Sequence, residues 1–244
     1  MGHSLTLPQA KCSFGKALFQ HHVLLVAGGR SPQNEWLIQA AQGVPVWCVD
    51  QGIDYCYDSG IIPERLVGDG DSASEAGWAW GKTLQIPVDV YPVEKDFTDL
   101  QLALQRVGSV YSQAMIVVTG VWGGRFDHIF SNIYSLVGCC DQMDWIGCCA
   151  ADEKEVLILL KGCDTLAIKM KKQAEVISLL PLSDCSGVSI DGVHWPLKDV
   201  VLKQGFPYAI SNRPIGFNRD ITVAVENGWL GVYFCWNTHD LQKR

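Results

Sequence analysis

The chain has 244 residues, enough for one large domain or two small ones at ~100–200 residues per domain. It is 48% hydrophobic and 18% charged, which excludes a disordered chain. Nineteen basic against 26 acidic residues leave a net charge of −7 with no basic run, so no nucleic-acid partner and no anionic membrane surface are expected. No apolar stretch approaches the ~20 residues of a membrane-spanning helix. The N-terminus has no basic segment followed by a long apolar one, so no secretion signal is expected and the chain reads as cytoplasmic.

In chain order, residues 23–27 read as a strand, 34–42 as a helix and 44–49 as a strand. Residues 87–91 read as a strand, 97–107 as a helix, 115–119 as a strand and 127–137 as a helix. Near-continuous apolar strands alternating with helices predict a mostly parallel sheet covered on both faces. Ligands of such sheets collect in the loops after the strand C-terminal ends. From about residue 150 the pattern changes to short strands at 155–160, 165–169, 175–180, 187–190, 199–202, 221–225 and 229–234. Asn227-Gly228 between the last two predicts a hairpin. The expected organisation is an α/β domain over residues 20–150 followed by an all-β sandwich over 151–240.

The ten cysteines include the adjacent pairs Cys139-Cys140 and Cys148-Cys149 but no C-x-x-C. Neither a disulfide framework nor a metal cluster is indicated, and most are expected to be small buried hydrophobes.

The chemistry-bearing residues cluster after the expected strands. Gly68-Asp69-Gly70-Asp71-Ser72 follows Arg65-Leu66-Val67; aspartates at i and i+2 of an extended segment point the same way and can share one cation. Hard carboxylate oxygens suit magnesium, although the segment is equally compatible with a plain polar turn. Glu94-Lys95-Asp96-Phe97-Thr98-Asp99 opens a helix. It reads either as a cap, with Asp96 as N-cap and Asp99 three residues on, or as a phosphate-welcoming helix start. The stretch from Thr119 to His128 contains Gly120, Gly123, Gly124, Arg125 and Asp127. Its glycines permit close backbone approach and its arginine offers a planar fork to phosphate. It is neither a P-loop nor a dinucleotide fingerprint. His128 reads as a helix-start residue rather than a general base. Gly28-Gly29-Arg30 is a weaker candidate phosphate loop, and Asp50 adds a carboxylate at the end of its strand. Together on one sheet edge, these features point to a magnesium–phosphate site.

In order and spacing, Cys48-Val-Asp50-x-Gly52, Gly68-Asp-x-Asp-Ser72, Asp96-x-Thr-Asp99 and Gly123-Gly-Arg-x-Asp127 resemble the thiamine pyrophosphokinase family. Trp195-x-Leu197 and Ser211-Asn212 are similar to that family's C-terminal signature, so the resemblance covers nearly the whole chain. Two departures stand out: Gln51 replaces a usual glycine, and Glu94-Lys95 only partly keeps the usual pair. Neither removes a metal ligand.

The resemblance implies a Rossmann-like α/β domain with a mostly parallel sheet, followed by the β-sandwich. It implies a homodimer with active sites at the subunit interface and transfer of the ATP diphosphate to the thiamine hydroxyl, giving thiamine diphosphate and AMP. Asp50, Asp69, Asp71 and Asp99 would hold Mg2+. Gly28, Asp50, Gly68, Asp69, Thr98, Gly123, Gly124, Arg125 and Asp127 would hold ATP. Asp71, Asp96, Asp99 and Arg125 would serve catalysis, with Asp96 or Asp99 taking the alcohol proton. Asp96, Trp195, Ser211 and Asn212 would hold thiamine. Two rival readings are a diphosphotransferase acting on a pterin alcohol and a non-catalytic nucleotide- or thiamine-binding regulator. Trp195 with Ser211-Asn212 argues against the first, and the intact acidic set against the second.

Overall fold

A computed structural model describes residues 3–91, 96–142, 147–206, 208–216 and 219–236. The chain divides into two units, residues 20–152 and residues 1–19 with 153–244.

The first unit holds strands β3 (His21–Val26), β4 (Val46–Val49), β5 (Arg65–Val67), β6 (Val88–Asp89), β7 (Ala114–Thr119) and β8 (Gly147–Ala151). All pair in parallel, in the order β8-β7-β3-β4-β5-β6. Every residue of β4, β7 and β8 is buried, as expected for strands covered on both faces. From β3 the chain steps outward through β4, β5 and β6, then returns to place β7 on the other side of β3. The order thus reverses between β3 and β7, and the crevice beyond their C-terminal ends is where such sheets take ligands.

Helices α1 (Asn34–Ala40), α4 (Asp99–Val110) and α5 (Phe126–Gln142) lie where the periodicity places them. Helix α4 buries Leu100, Ala103, Leu104 and Val107. Its start corrects the expected cap. Thr98, not Asp96, is the N-cap, and Gln101 completes the capping box by accepting from the Thr98 N–H. Two helices carry too little apolar periodicity to be read from sequence, α2 (Gly52–Ser59) and α3 (Glu75–Thr83). Gly60 ends α2 in the left-handed region at φ 68°, and the Ser74 side chain caps α3 by accepting from Gly77 N–H. The strand expected over 87–91 shortens to the two residues of β6.

Arg30, in the loop after β3, donates from Nε and Nη2 to Asp152 Oδ2 at 2.9 and 2.5 Å. The Asp152 side chain is wholly buried. Removing one partner of a buried pair leaves an uncompensated charge, so Arg30→Ala should destabilise the protein by about 3 kcal/mol in urea titration. A loss below about 1 kcal/mol would place the pair in the category of exposed ion pairs.

The second unit is built from β1 (Ser4–Thr6), β2 (Ala10–Phe14), β9 (Glu155–Lys161), β10 (Asp164–Met170), β11 (Val176–Pro181), β12 (Cys185–Asp191), β13 (Leu197–Leu202), β14 (Ile221–Val225) and β15 (Trp229–Cys235). Pairing is antiparallel in two sets, β1-β2-β10-β14-β12-β13 and β11-β15-β9. The N-terminal strands were not read from sequence, although β2 alternates buried and exposed residues as a half-buried strand should.

The Asn227-Gly228 hairpin does not form. Strand β14 pairs with β10 and β12, whereas β15 pairs with β9 and β11. The Asn227 backbone instead bridges Ser186, and Trp229 N–H donates to Ser183 Oγ at 2.8 Å. Those partners, 41 and 46 residues away, hold the dipeptide as a crossing between two strand sets. All ten cysteines are free thiols; nine are buried and Cys163 is exposed. No helix of the described residues is long and apolar enough to cross a membrane.

Candidate active site

The loops beyond β3, β4 and β7, with the starts of α4 and α5, enclose a cavity of about 640 Å3 in the first unit. On one side, the loops after β3 and β7 are knitted together through backbone. Gly29 N–H donates to Gly120 O at 2.6 Å, and Arg30 N–H donates to Trp122 O. The approach is so close that a Cβ on Gly29 would collide with both carbonyl oxygens. Tyr55 Oη donates to Gly29 O at 2.6 Å, fixing the same loop from α2.

The acidic side is built at the ends of β4 and β5. Asp50 takes φ 45°, a left-handed conformation uncommon outside glycine, while its N–H still donates to Val67 O at 3.0 Å. Its carboxylate lies over Gly68, where a Cβ would overlap Oδ1. One carboxylate oxygen from each of Asp50, Asp69 and Asp71 lies within 4.8 Å of the others. Their convergence corrects the expected mechanism. Strand β5 ends at Val67, and the aspartates meet through a turn with Gly68 at φ 123° and Gly70 at 79°, closed by Asp71 N–H donating to Asp69 Oδ1 at 3.1 Å.

Asp50 Oδ1 is buried with no hydrogen-bond partner. Burial, then the neighbouring Asp99 carboxyl and more weakly Asp69, push Asp50 up to about 7; the Gly70 N–H opposes them. An orphaned hard oxygen among carboxylates is a donor set suited to a hard divalent cation.

The metal-free protein should register this. The unfolded Asp50 ionises near pH 3.9 but the folded one near 7, so stability falls as pH rises between those values and the full penalty holds above them. Asp50→Asn, denatured in chelator, should be more stable than wild type by about 1–2 kcal/mol at pH 8, after discounting for solvent screening, and no more stable at pH 4. Equal stability of the two proteins at pH 8 would contradict it.

Gly28, Asp50, Asp71, Thr98 and Asp99 line the cavity, with Gly123, Gly124 and Arg125 opposite in the loop before α5. Gly68 and Asp69 belong to the acidic turn but are not among the residues lining the cavity. Arg125 and Asp127 form an exposed pair, Nε to Oδ1 at 3.1 Å and Nη2 to Oδ2 at 2.5 Å. Each partner favours the other's charge, raising the arginine and lowering the aspartate. Asp96 is exposed and does not line the cavity; Glu94 and Lys95 lie outside the described residues. Gln51 faces Gly28 at the cavity wall. His128 lies in the first turn of α5 and lines the cavity. Sequence reasoning missed Phe97, Ser131 and Asn132 as lining residues. The spacing of Asn132 four residues after His128, on one helix face, could have revealed it.

The remaining candidates lie in the second unit. Trp195 is 61% exposed, which excludes a plain core role. It lines a pocket of about 180 Å3 with Leu197, Tyr208, Ile210 and Asn212. Asn212 is buried and clasps the Trp195 backbone, its Nδ2 donating to Trp195 O at 2.7 Å and its Oδ1 accepting from Trp195 N–H at 3.1 Å. Ser211 stands at φ 60°, its N–H donating to Ser178 Oγ at 3.0 Å.

The chain is similar to known proteins over both units. Residues 39–145 match the family model described as thiamin pyrophosphokinase, catalytic domain, and residues 165–230 match the thiamin pyrophosphokinase, vitamin B1 binding domain. The chain is 31% identical over 201 residues to thiamine pyrophosphokinase of Bacillus subtilis (strain 168), covering 78% of this chain and 88% of the relative. The crystal structure of thiamine pyrophosphokinase from Bacillus subtilis superposes with a TM-score of 0.76 at 25% identity, over 88% of this chain and 98% of that one. Thiamin pyrophosphokinase from Candida albicans, 16% identical, gives 0.74 over 88% and 89% of the two chains. The chain belongs to the thiamine pyrophosphokinase family.

Proposed function

We infer that this chain, an enzyme transferring the diphosphate of ATP to the hydroxyl of thiamine, does so in the cavity beyond β3 and β7. The observation that carries this reading is the convergence of Asp50, Asp69 and Asp71, with one buried oxygen unpartnered, at the ends of β4 and β5, on the β4 side of the reversal between β3 and β7. Asp50, Asp69 and Asp71, with Asp99 beside Asp50, would hold Mg2+, which when bound neutralises charge on the polyphosphate. Gly28, Gly123 and Gly124 bring backbone up to the phosphates, Thr98 contributes from the α4 start, and Arg125 offers its fork, released from Asp127 by a stronger anion.

The thiamine hydroxyl oxygen attacks the β-phosphorus. The new O–P bond forms as the bond from that phosphorus to the α–β bridging oxygen breaks, and AMP leaves with the electron pair. The hydroxyl proton passes to a carboxylate, with Asp99 the better placed because it lines the cavity and Asp96 the alternative. Most of the acceleration expected from these residues is positioning and charge neutralisation.

Trp195 and the Ser211-Asn212 turn form the thiamine-binding surface of the β-sandwich domain, and the α/β domain is Rossmann-like. Two chains associate as a cytoplasmic homodimer with active sites at the subunit interface. The exposed aromatic Trp195 supports this, since a large apolar face left open marks a ligand or partner site.

Product analysis tests the reaction. With ATP, magnesium and thiamine, AMP should appear one for one with thiamine diphosphate. Stoichiometric ADP with thiamine monophosphate would show attack at the γ-phosphorus and overturn the assignment.

A further inference from the structure

The acidic turn is supported by a residue outside the cavity. Gly70, between Asp69 and Asp71, stands at φ 79° with its α-carbon against the indole of Trp78. A Cβ there would meet the ring atoms Cδ2, Cε2 and Cε3, so Gly70 lies directly against the indole. Trp78 belongs to α3, whose placement is itself tightly determined. Asp54 of α2 accepts from Ser74 N–H at 2.9 Å and from Ser74 Oγ at 2.7 Å. Ser74 in turn caps α3 by accepting from Gly77 N–H. A Cβ at Gly77 would strike the Asp54 carboxylate, and one at Gly81 would press on Ile53. Glycines at i and i+4 therefore let α3 sit close against α2. The Trp78 ring also carries the Lys82 ammonium, 5.5 Å from its centroid.

The packing runs in one direction: α2 anchors α3, α3 sets the indole, and the indole backs the turn carrying two of the converging carboxylates. Without that backing, the glycine-flanked turn is free to relax, because the repulsion between Asp69 and Asp71 favours their separation. We propose that Trp78 is a positioning residue that holds Asp69 and Asp71 in the convergent arrangement needed for a divalent cation. This rests on the reading of those carboxylates as a metal site.

The test is Mn2+ binding without substrate, read from the free-ion electron paramagnetic resonance signal, with thermal unfolding in parallel. Trp78→Ala is expected to raise the Mn2+ dissociation constant about 10- to 100-fold, the scale seen when a residue supporting metal ligands is removed. Trp78→Phe, which keeps a flat face under Gly70, should restore binding to within about threefold of wild type by the same reasoning. Gly70→Ala presses a methyl group on the ring and should weaken binding too. In Trp78→Ala/Gly70→Ala the two losses should sum to less than their separate values, because the methyl–ring collision is gone and only the strain of alanine at φ 79° remains. This combination separates positioning from general destabilisation, which would lower the melting temperature without rescue by phenylalanine or coupling to Gly70. If Asp71→Asn abolishes Mn2+ binding while folded Trp78→Ala binds normally, the role of Trp78 is overturned and the metal site stands. If Trp78→Ala does not fold, Gly70→Ala carries the test instead, and Mn2+ binding within about threefold of wild type in folded Gly70→Ala overturns the role equally. Mn2+ binding that Asp71→Asn leaves unchanged would overturn the metal site and this inference together.

Discussion

Asp71→Asn should lower kcat/KM by about 10^2–10^3 while leaving the fold intact, the scale of losing one preorganised electrostatic contact to a reacting phosphate. The substitution keeps size and shape, so its effect is the loss of one negative charge. Asp71 is exposed at the cavity and takes part in a three-carboxylate convergence. Replacing its charge weakens a hard cation's hold and misplaces the polyphosphate. Because Asp71 N–H, not its side chain, closes the turn onto Asp69, the turn should survive. Steady-state kinetics, with circular dichroism and thermal unfolding as controls, decide the matter. Turnover within about threefold of wild type in a folded protein would show that the carboxylates do not act as a unit.

Trp195→Ala should raise the KM for thiamine up to about 30-fold, corresponding to loss of a cation–π contact of about 2 kcal/mol, with the KM for ATP little changed. The thiazolium is cationic and the aminopyrimidine flat, so both suit an indole face. At 61% exposure Trp195 contributes little to the core, and the Asn212 clasp on its backbone persists without the ring. Global destabilisation is therefore not expected. An equal rise in both KM values would remove Trp195 from the thiamine surface. Light scattering of the active enzyme tests the shared site separately, since a fully active monomer would rule it out.

Much of the candidate site was legible because its residues are local to their elements. Asp50, Gly68 to Asp71, Thr98 with Asp99, and Gly123 to Arg125 each follow a strand, and a parallel sheet brings all strand ends to one edge whatever the details. Continuous apolar runs for β3, β4 and β7 were equally direct, since strands buried on both faces need no alternation. The short helices α2, which opens on Gly52, and α3, with Gly77 and Gly81 inside it, carry weak local preference, so their existence depends on caps and packing partners distant in the chain. The N-cap at Thr98 rather than Asp96 shows the same limit on a smaller scale, for several adjacent residues could cap and the geometry chose one.

What the sequence by itself determined is the alternation of β3, α1, β4, α4, β7 and α5, the edge on which the acidic and glycine-rich loops gather, and the family resemblance those motifs carry. Tertiary structure alone decided which segments meet. The Asn227-Gly228 turn crosses between strand sets because Ser183 and Ser186 supply its partners from far upstream. Asp152 is buried because Arg30 reaches it across 122 residues. Gly70 stands at φ 79° with the Trp78 ring against it, and the ring comes from a separate helix. Such pairings are set by the free energy of burying and satisfying groups from separate segments together, a quantity that no local window of sequence contains.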